Sequence, residues 1–176
     1  MCSDFTRGPR PRAGIVGGPC HSSGMASWSE IEAAEPAFAA RVRELFDAEK
    51  HKTIATVRAD GGPRISGIEV EFADGELTFG SMPHARKGAD LRRDPRFALH
   101  SASVAPPEGQ EARWAGDAKV AGLAMPAGPI EGEGAAGELY RADLREVVLT
   151  RLNPTASALR IEWWTPERGL RSVERE

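Results

Sequence analysis

The chain has 176 residues, 40% of them apolar, and a formal net charge of -3. This length and apolar content predict one globular domain with its own hydrophobic core. No apolar run approaches the roughly 18 residues of a membrane span, and the mild acidity argues against a general nucleic-acid binder. The composition therefore favours a soluble globular protein.

The first 24 residues are rich in Gly, Pro, Arg and Ser and lack the apolar segment of a secretory signal. We therefore predict a disordered extension over residues 1–26, a single domain over residues 27–176 and a cytoplasmic location. Met1 and Met25 are both candidate translation starts. Cys2 and Cys20 lie in the extension, and no Cys-His cluster has zinc-site spacing, so neither a structural disulfide nor a metal is expected.

An amphipathic helix is predicted after the extension. Pro36 suits the first turn of a helix, and Phe38, Val42, Leu45 and Phe46 follow at the spacing of one apolar face. We expect this face to be core or a dimer contact.

Three antiparallel strands in series are predicted next. Residues 53–58 are a β-branched run, and residues 60–63, Asp-Gly-Gly-Pro, form a turn into a second strand over 64–72. The Asp-Gly pair at 74–75 then predicts a tight hairpin into a third strand over 76–80.

A short basic helix is predicted to follow these strands. Arg86 and Lys87 fall in its first turn, where two cations oppose the positive end of the helix dipole unless an anion binds there. Free backbone N–H groups at a helix start also favour phosphate, so the pair indicates a phosphate site. A solvated helix that binds nothing is the alternative, because charge runs are common on exposed helices.

The rest of the chain predicts a continued antiparallel sheet. The expected strands cover residues 97–103, 117–124, 144–152, 158–164 and 170–173. Residues 104–116 should form a long loop, in which Trp114 either covers a planar ring or anchors the loop. Residues 126–137, rich in Gly and Pro, should form a flexible connection.

The order strand, Gly-Gly-Pro-Arg turn, strand, Asp-Gly turn, strand, Arg-Lys helix and Asp-Pro runs from Ile54 to Leu99. It resembles the pyridoxamine 5'-phosphate oxidase-like family of flavin- and deazaflavin-binding proteins. The resemblance implies a mainly β (α+β) fold, an antiparallel split β-barrel with a few flanking helices. It also implies a homodimer with cofactor sites at the subunit interface, and FMN as the cofactor, with the deazaflavin F420 as the alternative.

The resemblance also implies which residues hold the cofactor. Arg64, Arg86 and Lys87 would bind its phosphate, and Ser66 faces the same way as Arg64 on the second strand. The complete implied set is Arg64, Ser66, Ser81, Arg86, Lys87, Trp164 and Arg171. The chain departs from the oxidases at Glu69, near which they carry a second basic residue, and this weakens the transfer of their full phosphate site. Its tail also lacks their Arg-Leu-His segment. The substrate pocket of the oxidases is therefore not carried over.

The implied function is an FMN- or F420-dependent redox reaction on a small molecule. No catalytic residue is assigned, because no Ser-His-Asp, paired-carboxylate or Walker pattern is present. In such enzymes the cofactor performs the hydride chemistry and the protein positions it. The alternative is a barrel that binds a cofactor or haem without turnover, as a sensor, carrier or storage protein.

Overall fold

The structure is a computed structural model that describes residues 24–130 and 136–176. Cys2, Cys20 and most of the predicted extension lie outside these residues. The helices are α1 (Trp28–Ala34), α2 (Pro36–Asp47) and α3 (Arg86–Arg93), with one 3-10 turn at Glu111–Arg113. The strands are β1 (Lys52–Val57), β2 (Pro63–Ile68), β3 (Val70–Ala73), β4 (Glu76–Ser81), β5 (Arg96–His100), β6 (Asp117–Ile130), β7 (Gly137–Leu152), β8 (Leu159–Thr165) and β9 (Gly169–Arg175).

These strands form one antiparallel sheet in the order β2-β1-β5-β6-β7-β4-β3, with β8 beside β7 and β9 beside β8. The long strand β7 changes neighbour along its length, because its first residues pair with β4 and its last residues pair with β8. The predicted mainly antiparallel fold with a few flanking helices is confirmed. None of the described helices is long and apolar enough to cross a membrane.

The predicted second strand is two strands, because the strand pairing is interrupted at Glu69. Residues of β2 pair with β1, whereas residues of β3 pair with β4. A single strand over residues 64–72 is therefore wrong, since each half follows a different neighbour. Strands β2 and β4 do not pair with each other, and α3 lies against both, with Lys87 on Gly67 of β2 and Gly88 beside Ser81 of β4. We call this line between β2 and β4 the seam.

Strand β6 is longer than the sequence predicts. Pro126, Pro129 and Ile130 pair with Tyr140, Glu138 and Gly137 of β7, so these residues belong to the sheet and not to a flexible connection. The register shifts between Pro126 and Gly128, and such an irregularity accommodates a residue that cannot donate a hydrogen bond. Residues 131–135 lie outside the described residues.

The core lies between the sheet and the helices α1 and α2. Phe38, Val42 and Phe46 of α2 are at most 1% exposed, and Trp28 of α1 packs edge-to-face on Phe72 with ring centroids 4.6 Å apart. Most of the apolar face of α2 is therefore core, and Leu45 packs against this core while staying partly exposed.

The first residues of the described chain are attached to the middle of β7. Ala26 and Leu144 exchange two backbone hydrogen bonds, of 2.9 and 2.8 Å, and Ala26 is buried. Ser27 then caps α1 in a capping box, in which its side chain accepts from the Glu30 N–H and the Glu30 carboxylate accepts from the Ser27 N–H. The fold thus includes the last residue of the predicted extension.

Candidate cofactor phosphate site

The start of α3 presents uncapped backbone amides. Its N-cap residue, Ala85, has an extended backbone and no side-chain hydrogen bond to the first turn. His84, just before it, adopts a left-handed φ of 61°, which turns the chain from β4 into the helix. The first amides of a helix have no intrahelical acceptor, so they are available to an anion beside Arg86 and Lys87.

Arg64 on β2 is fixed to α3 by a buried carboxylate. Its Nε donates to Oδ2 of Asp90 over 2.5 Å, and the Asp90 side chain is 5% exposed. Thr56 on β1 donates to the same oxygen over 3.0 Å, and Arg93 lies 3.5 Å from Oδ1. The Arg64 hydrogen bond, aided by these partners, outweighs burial and holds the pKa of Asp90 below its usual range. Asp90 is therefore a charged link from α3 to two strands.

Lys87 joins α3 to β2. Its Nζ donates to the backbone carbonyl of Gly67 over 2.7 Å. Burial lowers the pKa of Lys87 from its ordinary value of 10.5. An ammonium group has three donors, so the bond to Gly67 leaves others for a ligand. An anion in contact with Lys87 would offset the cost of its desolvation.

Ser81, at the end of β4, is buried against α3. A Cβ added to Gly88 would lie 2.6 Å from the Ser81 hydroxyl oxygen and 2.8 Å from Oε2 of Glu138. Only glycine allows the helix to come this close. Arg92 donates to both oxygens of Glu138 over 2.5 and 2.6 Å, so this carboxylate is paired with a cation.

The structure brings most of the predicted cofactor residues to one region. Arg64 and Ser66 lie on the same face of β2, Ser81 ends β4, and Arg86 and Lys87 open α3. Arg86 is exposed and makes no hydrogen bond or ion pair within the described chain. This region is therefore a cationic site, in which side-chain donors from β2, β4 and α3 lie close to one another.

Trp164 and Arg171 lie elsewhere in the same chain, on the hairpin formed by β8 and β9. Trp164 pairs with Val147 of β7, whereas Ser81 pairs with Glu138 near the opposite end of that strand. At about 3.3 Å per residue, the two positions are on the order of 30 Å apart along β7. Trp164 is 5% exposed in the core, and Arg171 is exposed opposite Trp163. One chain does not bring them to the Arg64 region.

Sequence reasoning assigned no role in the site to Asp90, Thr56 or Glu138. For Asp90 a signal exists, since it follows Arg86 by four residues and Lys87 by three and so shares their helix face. Thr56 and Glu138 carry no local signal, because their proximity to α3 depends on strand pairing.

A shallow groove of 430 Å³ lies on the outer face of the sheet. Its lining includes Thr53, Ala55, Ile65, Ala98, His100 and Lys119. Ile65 is 74% exposed, although it neighbours Arg64 on β2. His100 contacts the Ser101 carbonyl through Nδ1 at 2.6 Å, so it is held in the sheet. Trp114 is half-buried in the loop before β6.

The sequence and the fold are similar to those of known proteins. The family model of pyridoxamine 5'-phosphate oxidase matches residues 38–131. A solved structure of a pyridoxamine 5'-phosphate oxidase-related, FMN-binding protein from Nostoc punctiforme is 12% identical, with a TM-score of 0.54, over 81% of this chain and 96% of that chain. PhzG from Burkholderia lata, solved with tetrahydrophenazine-1-carboxylic acid, is 14% identical, with a TM-score of 0.52, over 80% of this chain and 87% of that one. No curated protein matches the sequence.

At these identities the solved structures show the fold, and the family model shows the ancestry. The matched residues span more than half of the chain and include β1 to β6 and the whole of α3. The chain therefore belongs to the pyridoxamine 5'-phosphate oxidase family and has its split-barrel fold.

Proposed function

We propose that this protein binds FMN by its phosphate at the start of α3 and carries out a redox reaction on a small molecule. The observation that carries the proposal is that Arg64 and Ser81 are held against α3, at Asp90 and Gly88, while Arg86 and Lys87 lie in its uncapped first turn. Helix amides and charge-assisted donors together favour a phosphate group. The FMN-binding relative from Nostoc punctiforme supports FMN as the ligand.

Each of these groups contributes differently to the proposed phosphate site. Arg64, which is 19% exposed, offers the two Nη groups that Asp90 leaves open, and Lys87 offers the donors that Gly67 leaves open. Arg86 is free to close over the ligand from the solvent side. The cations outnumber the buried carboxylate of Asp90, which suits the double negative charge of a phosphate monoester.

When bound, FMN supplies the hydride or electron transfer. The chain's own residues bind the phosphate, orient the cofactor along β2 and exclude water from the seam. Because the catalytic group belongs to the cofactor, the described residues need no nucleophile or general base of their own for this class of reaction.

We also propose that a second copy of the chain completes the site. The β8–β9 hairpin, with Arg171 and the half-exposed Trp163, lies away from the Arg64 region of its own chain. The outer sheet face exposes Ile65 beside Ala55 and Ala98, and these apolar side chains, which lie among Thr53, His100 and Lys119, are the contact that we assign to the second copy. A homodimer would cover that face and bring a partner hairpin to each site.

The proposal is tested by titrating the purified protein with FMN, riboflavin and F420 and following flavin or deazaflavin fluorescence. FMN should bind much more tightly than riboflavin, and the loaded protein should pass electrons to small acceptors after anaerobic reduction. Equal affinity for FMN and riboflavin would contradict the phosphate site. Tighter binding of F420 would assign the deazaflavin, and a haem absorbance spectrum without turnover would support the sensor, carrier or storage function instead.

A further inference from the structure

Asp90 is a buried charge, and the link that it makes from α3 to β1 and β2 does not by itself require a carboxylate. The residue is 3% exposed, and a buried carboxylate is expensive unless it is paired and hydrogen-bonded. Replacing a buried ion pair by apolar residues of similar volume is often neutral or stabilising, so packing alone gives no reason for an aspartate here. A role in orienting its partners does give a reason.

The bonds of Asp90 fix one end of Arg64 and leave the other end open. Arg64 donates through Nε to Oδ2 of Asp90, and no hydrogen bond to its Nη groups is found within the described chain. A guanidinium that is held at Nε keeps its two Nη groups available for two parallel hydrogen bonds to a phosphate. Asp90 lies one turn after Arg86 and Lys87 on α3, so its bond ties Arg64 to the helix that these two cations open.

The carboxylate is itself held in place. Thr56 on β1 donates to the oxygen that Arg64 uses, and Arg93 lies near the other oxygen while donating to the Val57 carbonyl. The orientation of Arg64 is therefore set by two strands and a helix rather than by a single flexible contact. A donor fixed before binding loses less conformational entropy when the ligand arrives.

We propose that Asp90 is a positioning residue that acts through Arg64 and thereby sets the preference of the site for phosphate-bearing cofactors over their phosphate-free forms. This inference rests on the proposed function, because the ligand is the cofactor phosphate. It goes beyond that function by assigning the preference to a carboxylate that would not touch the ligand.

A double-mutant cycle separates this role from a purely structural one. The variants are Asp90→Asn, Arg64→Ala and the double variant, and each is titrated with FMN and with riboflavin. Asp90→Asn should weaken FMN binding roughly tenfold, leave riboflavin within about twofold, and cause no further loss in the Arg64→Ala background. Asp94→Asn is the matched control, since Asp94 follows α3 and pairs with the exposed Arg96. An equal loss in both backgrounds, or an equal loss for riboflavin, overturns the proposal.

A second measurement keeps the inference independent of the cofactor. The Nε–H signal of Arg64 in ¹⁵N NMR, assigned by its loss in Arg64→Ala, should exchange slowly in the free protein and rapidly in Asp90→Asn. If the protein binds neither FMN nor F420, the proposed function fails. The Nε–H signal then decides by itself whether Asp90 holds the side chain of Arg64 in place. An unchanged signal in Asp90→Asn overturns the inference that Asp90 positions Arg64. If that variant does not fold, Asp90→Glu, which moves the carboxylate by one methylene, is used in its place.

Discussion

Lys87 on α3 and Gly67 on β2 are joined by a 2.7 Å hydrogen bond from the ammonium group to the backbone carbonyl. Strand β2 pairs with β1 on one side only, so this bond satisfies a carbonyl on its free edge. It also holds the helix and the strand at a fixed spacing before any ligand is present. The site is thus preorganised, and less ordering remains to be done when a ligand binds.

Removing either cation at the start of α3 should weaken FMN binding selectively. Arg86→Ala and Lys87→Ala each remove a charge-assisted bond, which corresponds to roughly tenfold to hundredfold in affinity. Riboflavin binding should change far less. Fluorescence titration of both flavins measures the effect. Arg96→Ala is the control, because Arg96 is exposed and, among the described residues, pairs only with Asp94. Arg92 and Arg93 are unsuitable controls, since they hold α3 through bonds to Glu138 and the Val57 carbonyl. If Arg96→Ala weakens FMN equally, the basic segment is only a charged surface.

Substitution of Gly88 should destabilise the free protein. In Gly88→Ala the new methyl group would approach Ser81 and Glu138 to 2.6 and 2.8 Å, so α3 must shift, at a cost of about 1–3 kcal/mol in the free energy of unfolding. Gly67→Ala is the matched control, since nothing lies within 4 Å of its Cβ. Urea unfolding without ligand compares the two. A Gly88→Ala variant that is as stable as the control would contradict this prediction, because it would show that α3 accommodates the methyl group without a shift.

Tyr140 should resist ionisation until strongly alkaline pH. Burial, followed by the hydrogen bond to Glu138, raises its pKa from 10.0 to about 12. Because the folded pKa lies above the unfolded one, the stability from this group is complete below pH 10 and is lost as the pH rises toward 12. The chain has one tyrosine, so phenolate absorbance reports this residue alone. Glu138→Gln should lower the midpoint. A midpoint of 10 in the folded protein would contradict the prediction.

Asp90 should make the stability of the protein sensitive to acid. Its pKa in the folded protein lies below the ordinary value of 3.8, mainly because of the Arg64 hydrogen bond. The stability it contributes is therefore present above pH 3.8 and is lost as the pH falls through the folded pKa. Chemical unfolding of wild type and Asp90→Asn should differ near neutral pH and converge in acid. A difference that does not change with pH would show that the charge of Asp90 contributes nothing.

The outer sheet face should hold two chains together. Light scattering at micromolar concentration should report twice the chain mass for wild type and the monomer mass for Ile65→Glu, because the charge would be buried in the interface. Val104→Glu, at an exposed apolar residue of the loop after β5, should leave the dimer intact. A wild-type monomer that binds FMN would remove the two-chain site.

Local signals in the sequence account for the parts of the fold that depend on neighbouring residues. Pro36 and the Asp74-Gly75 pair mark a helix start and a hairpin at the positions where the structure has them. The interruption at Glu69 and the extension of β6 past Pro126 depend on the strands that pair there, which no local pattern reveals. The candidate site shows the same division. The sequence predicts Arg86 and Lys87 as a cationic pair at a helix start, whereas the hydrogen bond from Arg64 to Asp90 forms only when β2 and α3 come together in the fold.

The pairing of Ala26 with Leu144 fixes the order in which the protein can be completed during synthesis. Ribosomes add roughly 5–20 residues per second, so several seconds pass between the emergence of Ala26 and that of its partner. During this time α1 can already pack on Phe72 of β3, because β3 is made well before β7, but Ala26 has no partner strand. The first described residues are therefore made early and attached late, since Ala26 joins the sheet only after β7 has been synthesised.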